Sequence, residues 1–194
     1  MSNSLHWFFN SDTQEYESLR RKTEETLHSA ILEAEAGNWE AVIEAGLNCP
    51  LIMDDILKAY YPSLPERMRY TLPLKWYMGA GKASKTVCDA VKCAVKYKPA
   101  NWLGKGLVKG DWIEVYCALR SGNSEEAKAC LSWCTNYTGA YITAQKINGK
   151  IYKGQILKEN ILAFDESCLE GVIQYNSVYA VQQIYPVLPL SACK

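Results

Sequence analysis

The chain has 194 residues, 48% of them hydrophobic and 22% charged, which is enough to bury a sizeable core and far from the composition of a disordered protein. Its 21 basic and 21 acidic side chains cancel, which argues against a dedicated nucleic-acid binder and removes net repulsion between copies. The zero is made of unlike parts: residues 1–65 hold four basic and eleven acidic groups, residues 66–109 ten and two, and residues 110–194 seven and eight.

From Thr13 to Ala36, Tyr16, Leu19, Thr23, Leu27, Ala30, Ile31 and Ala34 recur at three-and-four spacing, one face of a helix. Gly37-Asn38 breaks it, and Trp39 to Ala45 makes a short second helix that Gly46 ends. Pro50 precedes a third, Leu51 to Tyr61, stopped by Pro62. Pro65 opens a fourth through Met78, with a kink expected at Pro73. Ser84 is an N-cap for a fifth helix with the stripe Val87, Cys88, Val91, Ala94 and Val95, and Pro99 closes it.

After Gly110 the period changes to two. Ile113, Val115 and Cys117 alternate with Glu114 and Tyr116, the pattern of a strand. Asn123 to Cys130 reads as a short capped helix, and Leu131 to Thr135 as a brief strand. Asn148-Gly149 signals a turn before the alternating stretch Lys150 to Leu157, and Gly171–Asn176 and Val178–Ile184 supply two more strands. The expected fold is α+β: a helical region over 1–109, acidic then basic, followed by a mainly antiparallel β-core over 110–194 in one compact unit.

No stretch approaches the roughly 18–20 apolar residues of a membrane span, and the first ten residues lack the basic start and apolar run of a secretory signal. Eight cysteines, at 49, 88, 93, 117, 130, 134, 168 and 193, form no Cys-x-x-Cys pair, and two histidines are too few to complete a zinc site. They read as reduced thiols, mostly small core residues, in a cytoplasmic protein without a metal. His6 and His28 read as surface residues.

Two motifs invite a phosphate. Met78-Gly-Ala-Gly-Lys-Ala-Ser-Lys-Thr86 has glycines ahead of a helix, but Trp76 stands where a P-loop needs its first Gly, and an interhelical turn explains the rest. The basic run Lys82 to Lys109, with Tyr97 and Trp102 interleaved, is either a grip for a phosphate backbone or a solvated lysine face.

Three further pieces, in order, resemble a family of small bacterial and phage proteins with the mono-ADP-ribosyltransferase fold. They are Ile113-Glu-Val-Tyr-Cys-Ala118; Leu131-Ser-Trp-Cys-Thr-Asn136 with Ala140-Tyr-Ile-Thr-Ala144; and the segment Gly149 to Phe164. With the lead-in Pro65 to Pro99, the likeness spans residues 65–185. It implies three strand-borne groups: an Arg that holds NAD phosphates, a Ser beside the nicotinamide ribose, and a Glu-x-Glu whose second Glu stabilises the oxocarbenium-like transition state.

Carried over, the Arg position falls on Cys117, with Arg120 three residues on, and the Ser position on Ser132. The Glu motif falls on Leu169-Glu170-Gly171, or, shifted by one residue, makes Glu170 the catalytic group with Cys168 as its partner; the two registers point Glu170 to opposite faces. Cys117 is also simply a packed strand residue, Ser132 a strand-end hydroxyl, Glu170 a strand-edge charge, and Trp133 and Tyr141 core or cleft walls.

The resulting expectation is a catalytically degenerate ADP-ribosyltransferase-like protein. It would bind a nicotinamide or ADP-ribose-type nucleotide, or a host protein as a phage-encoded inhibitor, in a bacterial or phage-infected cytoplasm. An active transferase consuming NAD through Glu170 and Arg120 is the alternative, and a nucleic-acid-binding module built on the basic helices of 66–109 is a third reading.

Overall fold

The structure, a computed structural model, describes residues 14–79, 83–166 and 170–185. The chain divides into two units, residues 1–97 and 98–194, so the segment 98–109 goes with the second unit rather than with the helices before it.

The first unit is helical. Helix α1 (Gln14–Glu35) buries Thr23, Ala30 and Ala34. Its outer face carries the exposed i,i+4 pairs Arg20–Glu24 and Arg21–Glu25, each 2.9 Å. Helix α2 (Trp39–Asn48) runs through Gly46 instead of ending there. That glycine serves packing: a Cβ on it would lie 2.4 Å from the Trp76 ring. The ring is fully buried, and its indole N–H donates to the Ile43 carbonyl at 2.9 Å.

Helix α3 (Met53–Tyr60) is flanked by single 3-10 turns, Pro50–Ile52 and Tyr61–Ser63. Helix α4 (Glu66–Gly79) carries Pro73 inside it. Proline has no N–H for the carbonyl four residues earlier, that of Arg69, and the Tyr61 hydroxyl reaches this orphan at 3.3 Å. Burial there pushes the Tyr61 phenol up to about 12. Helix α5 (Lys85–Ala94) starts as its cap predicts: the Ser84 hydroxyl accepts from the Val87 N–H at 3.1 Å and donates to Asp54. Its buried face is Val87, Ala90, Val91 and Ala94, while Cys88 and Val95 are half-buried. The glycine loop before it lies partly outside the described residues.

The second unit is a six-stranded sheet, antiparallel throughout, in the order β4-β5-β2-β1-β3-β6. The strands are β1 (Trp112–Leu119), β2 (Ser132–Cys134), β3 (Lys150–Leu157), β4 (Ile161–Asp165), β5 (Glu170–Ile173) and β6 (Tyr179–Ile184). Strand β4 was not expected as a separate strand; its run Ile161-Leu-Ala-Phe164 is buried on both sides, so no alternation marks it.

Between β1 and β2 lies helix α6 (Ser124–Lys128), capped by the Asn123 side chain accepting from the N–H groups of Glu125 and Glu126 at 2.9 and 3.0 Å. Helix α7 (Tyr137–Ile147) follows β2 and ends at Asn148, whose φ of 50° starts the expected turn into β3. Ala140 and Ala144 of α7 pack on Ile151 of β3, with Tyr116 and Ala118 of β1 beside them. The β3–β6 ladder holds one extra residue on β6, and within it Ala180 takes a φ of 51°. At the opposite edge, the Phe164 N–H of β4 donates to the Leu103 carbonyl at 3.0 Å.

One expectation about cysteines needs correcting. Among the described residues only Cys117 is buried; Cys49, Cys88, Cys130 and Cys134 are half-buried and Cys93 is exposed. Their positions follow helix and strand faces rather than a common preference for the core.

Candidate functional site

Strand pairing places the candidate residues in three cross-strand rows, and directly opposed residues share a face. The first row is Tyr116, Cys134, Glu170 and Asp165, on β1, β2, β5 and β4. The next residue on each strand gives the second row, with Cys117, Trp133, Gly171 and Phe164 on the other face. The third, back on the first face, sets Ala118 and Ser132 beside Val172.

Cys117, Ser132 and Glu170 therefore sit on three strands that are successive neighbours, β1, β2 and β5, although up to 53 residues separate them in sequence. Period-two alternation divides them: Ser132 and Glu170 share the α7 face, and Cys117 faces the other way with Trp133 and Tyr152. The gapless motif register pairs Gly171 with the Cys117 face, and the shifted register pairs Glu170 with Ser132. Leu169 and Cys168 lie outside the described residues.

On the α7 face, Glu170 is half-buried, and burial first, with Asp165 directly opposite second, raises its carboxyl above the ordinary 4.5. Next along the row, α7 begins close to Cys134: the Asn136 side chain accepts from the Gly139 N–H at 2.7 Å, and a Cβ on Gly139 would lie 3.3 Å from the Cys134 sulfur. Tyr137 stands edge-on to Tyr116 with ring centres 5.9 Å apart, and Tyr141 lies 5.9 Å beyond Tyr137. Tyr141 is thus half-buried in an aromatic run on this face.

The run ends in charge. Glu114 accepts from the Tyr116 hydroxyl and pairs with Lys153 at 2.6 Å. Hydrogen bonds from Lys153, then Tyr116, hold the Glu114 carboxyl below its usual range, and the same bond pushes the Tyr116 phenol up to about 12. Tyr116, Tyr137, Asp165 and Lys153 were not singled out from sequence. Of these, the β1 alternation could have pointed only to Tyr116, on the face opposite Cys117.

On the opposite face, Cys117 is a buried free thiol, and its hydrogen bond with Cys130, then burial, keeps its proton on and its pKa raised. Trp133 is a core residue, 1% exposed, with its indole N–H on the Cys130 carbonyl at 3.1 Å, so its ring offers no open platform. Arg120 is exposed, one residue past the end of β1.

The α7 face can orient a carbonyl or hydroxyl through Ser132 and Cys134, and Glu170 can hold or release a proton there. The opposite face provides no cationic clamp at the Cys117 position. Among the described residues no group of three or more His, Cys, Asp or Glu side chains is placed to hold a metal ion, and no helix is long and apolar enough to cross a membrane. Comparison with family models, with curated proteins and with solved structures gives no match to this chain.

Proposed function

We propose that the second unit is a catalytically degenerate ADP-ribosyltransferase-like module that binds a nicotinamide or ADP-ribose-type nucleotide and transfers ADP-ribose poorly or not at all. The observation that supports this reading is the adjacency of β1, β2 and β5, the three strands bearing the carried-over positions Cys117, Ser132 and Glu170. Binding without efficient transfer follows from the chemistry of those positions. Ser132 and the half-buried Glu170 share the α7 face, while position 117, where the resemblance expects a guanidinium, is a thiol buried on the other face.

Calorimetric titration with NAD and with ADP-ribose tests the reading, run beside transfer of labelled ADP-ribose to lysate proteins. Saturable binding, weakened by Ser132→Ala and Glu170→Gln, with no labelling above background, is the expected result. Robust labelling that disappears in Glu170→Gln would replace this reading with an active transferase, for which Asp165 opposite Glu170 supplies a second carboxylate. Absence of binding to either nucleotide would remove both.

A further inference from the structure

A second feature of the same unit lies on other strands and does not rest on the nucleotide reading. The end of β3 and the segment before β1 border an open cleft of about 580 Å³, within the roughly 300–1,000 Å³ range of small-molecule sites. Lys98, Lys105 and Lys158 line it, with Trp102, Asp111 and Glu159. Two of the lysines belong to the basic run that the sequence singles out, and the third arrives from 53 or more residues away.

Each ammonium is aimed by a backbone carbonyl. Lys105 donates to Ala100 at 2.6 Å, Lys98 to Glu159, and Lys158 to Val108. An ammonium has three N–H donors, so each lysine keeps two more for a ligand. Lys98 is also fixed 5.0 Å above the Trp102 ring, and Trp102 itself is buried, so the position of this amine is set by the core. Three cations against two carboxylates leave the cleft positive. Burial pushes Lys98 down to about 8, against attraction from Glu159 and with a smaller repulsion from Lys105. The lining thus keeps an excess of one positive charge, which an oxyanion in the cleft would balance.

We infer that this cleft is a binding site for a small phosphorylated ligand, with the ammoniums of Lys98, Lys105 and Lys158 converging on its phosphate or diphosphate group. Lysine suits such a group as a point charge, and the two N–H donors left on each ammonium can serve several phosphate oxygens at once.

The full chain is titrated with inorganic phosphate and with pyrophosphate at low salt, and with acetate as the monocarboxylate control. One equivalent of pyrophosphate should bind saturably and acetate should not. Lys98→Gln and Lys105→Gln should each weaken binding about tenfold, whereas Lys92→Gln, which removes an exposed charge of the first unit paired with Asp89, should leave it unchanged.

Acylation of the unmodified protein followed by peptide mapping gives a readout independent of variants: pyrophosphate should slow labelling of Lys98 at least fivefold by protonating and covering it. Lack of saturable binding, or equal loss in Lys92→Gln, would overturn the assignment. So would Lys98 labelling indifferent to pyrophosphate. Affinity that grows with oligonucleotide length and is lost in Lys92→Gln would assign the basic charge to nucleic acid instead. NAD binding that survives Lys98→Gln would separate the two sites.

Discussion

Replacing Gly104 by Ala tests how the lysine cleft is held on the sheet. The residue has φ +79° and ψ 6°, a left-handed conformation that costs an L-residue about 1–2 kcal/mol. A Cβ there would also lie 2.2 Å from the Phe164 carbonyl oxygen and 3.0 Å from its carbonyl carbon. That oxygen is strand backbone and cannot rotate away, so the loop must retreat. Retreat breaks the Phe164–Leu103 hydrogen bond, worth about 1 kcal/mol, and loosens the buried Trp102. The restricted unfolded chain returns only about 0.5 kcal/mol. The net expectation is a loss of about 3 kcal/mol in the second unit, read by urea denaturation with tryptophan fluorescence and circular dichroism as separate probes. Gly106→Ala is the control two residues on, because a Cβ there meets nothing within 4 Å, and it should be near neutral. A Gly104→Ala protein within about 1 kcal/mol of wild type, or one no worse than Gly106→Ala, would refute the steric account.

Glu170 has a folded pKa raised above its unfolded value, so the fold favours the protonated acid, and its contribution is lost as pH rises through the folded value. Glu170→Gln should therefore raise the thermal midpoint at neutral pH and converge with wild type below the ordinary 4.5; an unchanged or lowered midpoint at neutral pH contradicts the shift. Gly46→Ala gains about 1 kcal/mol of helix propensity but drives a methyl group into the buried Trp76 ring, for a net loss of about 2 kcal/mol in chemical denaturation. Cys130 and Cys88 are both half-buried, yet the bond from Cys117 lowers the pKa of the first while burial raises that of the second. Iodoacetamide mapping should find Cys130 modified several-fold faster than Cys88, with Cys117 last; equal rates would remove the thiolate preference.

Local signals read well from the chain. The Ser84 cap, the Asn148-Gly149 turn and the β1 alternation each depend on neighbours within four residues, and each stands where expected. Gly46 was misread because its reason lies in Trp76, thirty residues on, and a glycine that makes room looks in sequence like a glycine that stops a helix. Strand β4 carried no period because both of its faces are covered. The candidate positions could be named but not sorted: which face each takes depends on pairing between β2 and β5, and a single-residue slip exchanges them. Lys158 could not have been joined to Lys98 and Lys105 by any spacing rule, since a connecting strand reversal brings it there.

The two rims of the sheet differ in how they refuse a visitor. An exposed strand edge is a template on which another chain can continue the hydrogen-bond ladder, the first step of aggregation. Along β4 part of that template is already occupied, since the Phe164 N–H is spent on Leu103. Along β6 the extra residue and the left-handed Ala180 throw the strand out of line, so an incoming strand would meet a broken row of donors and acceptors. A second copy adding to this rim would first have to straighten Ala180, and with it the ladder to β3. The irregularity that weakens β6 as a strand thus makes this rim a poor template for a further one.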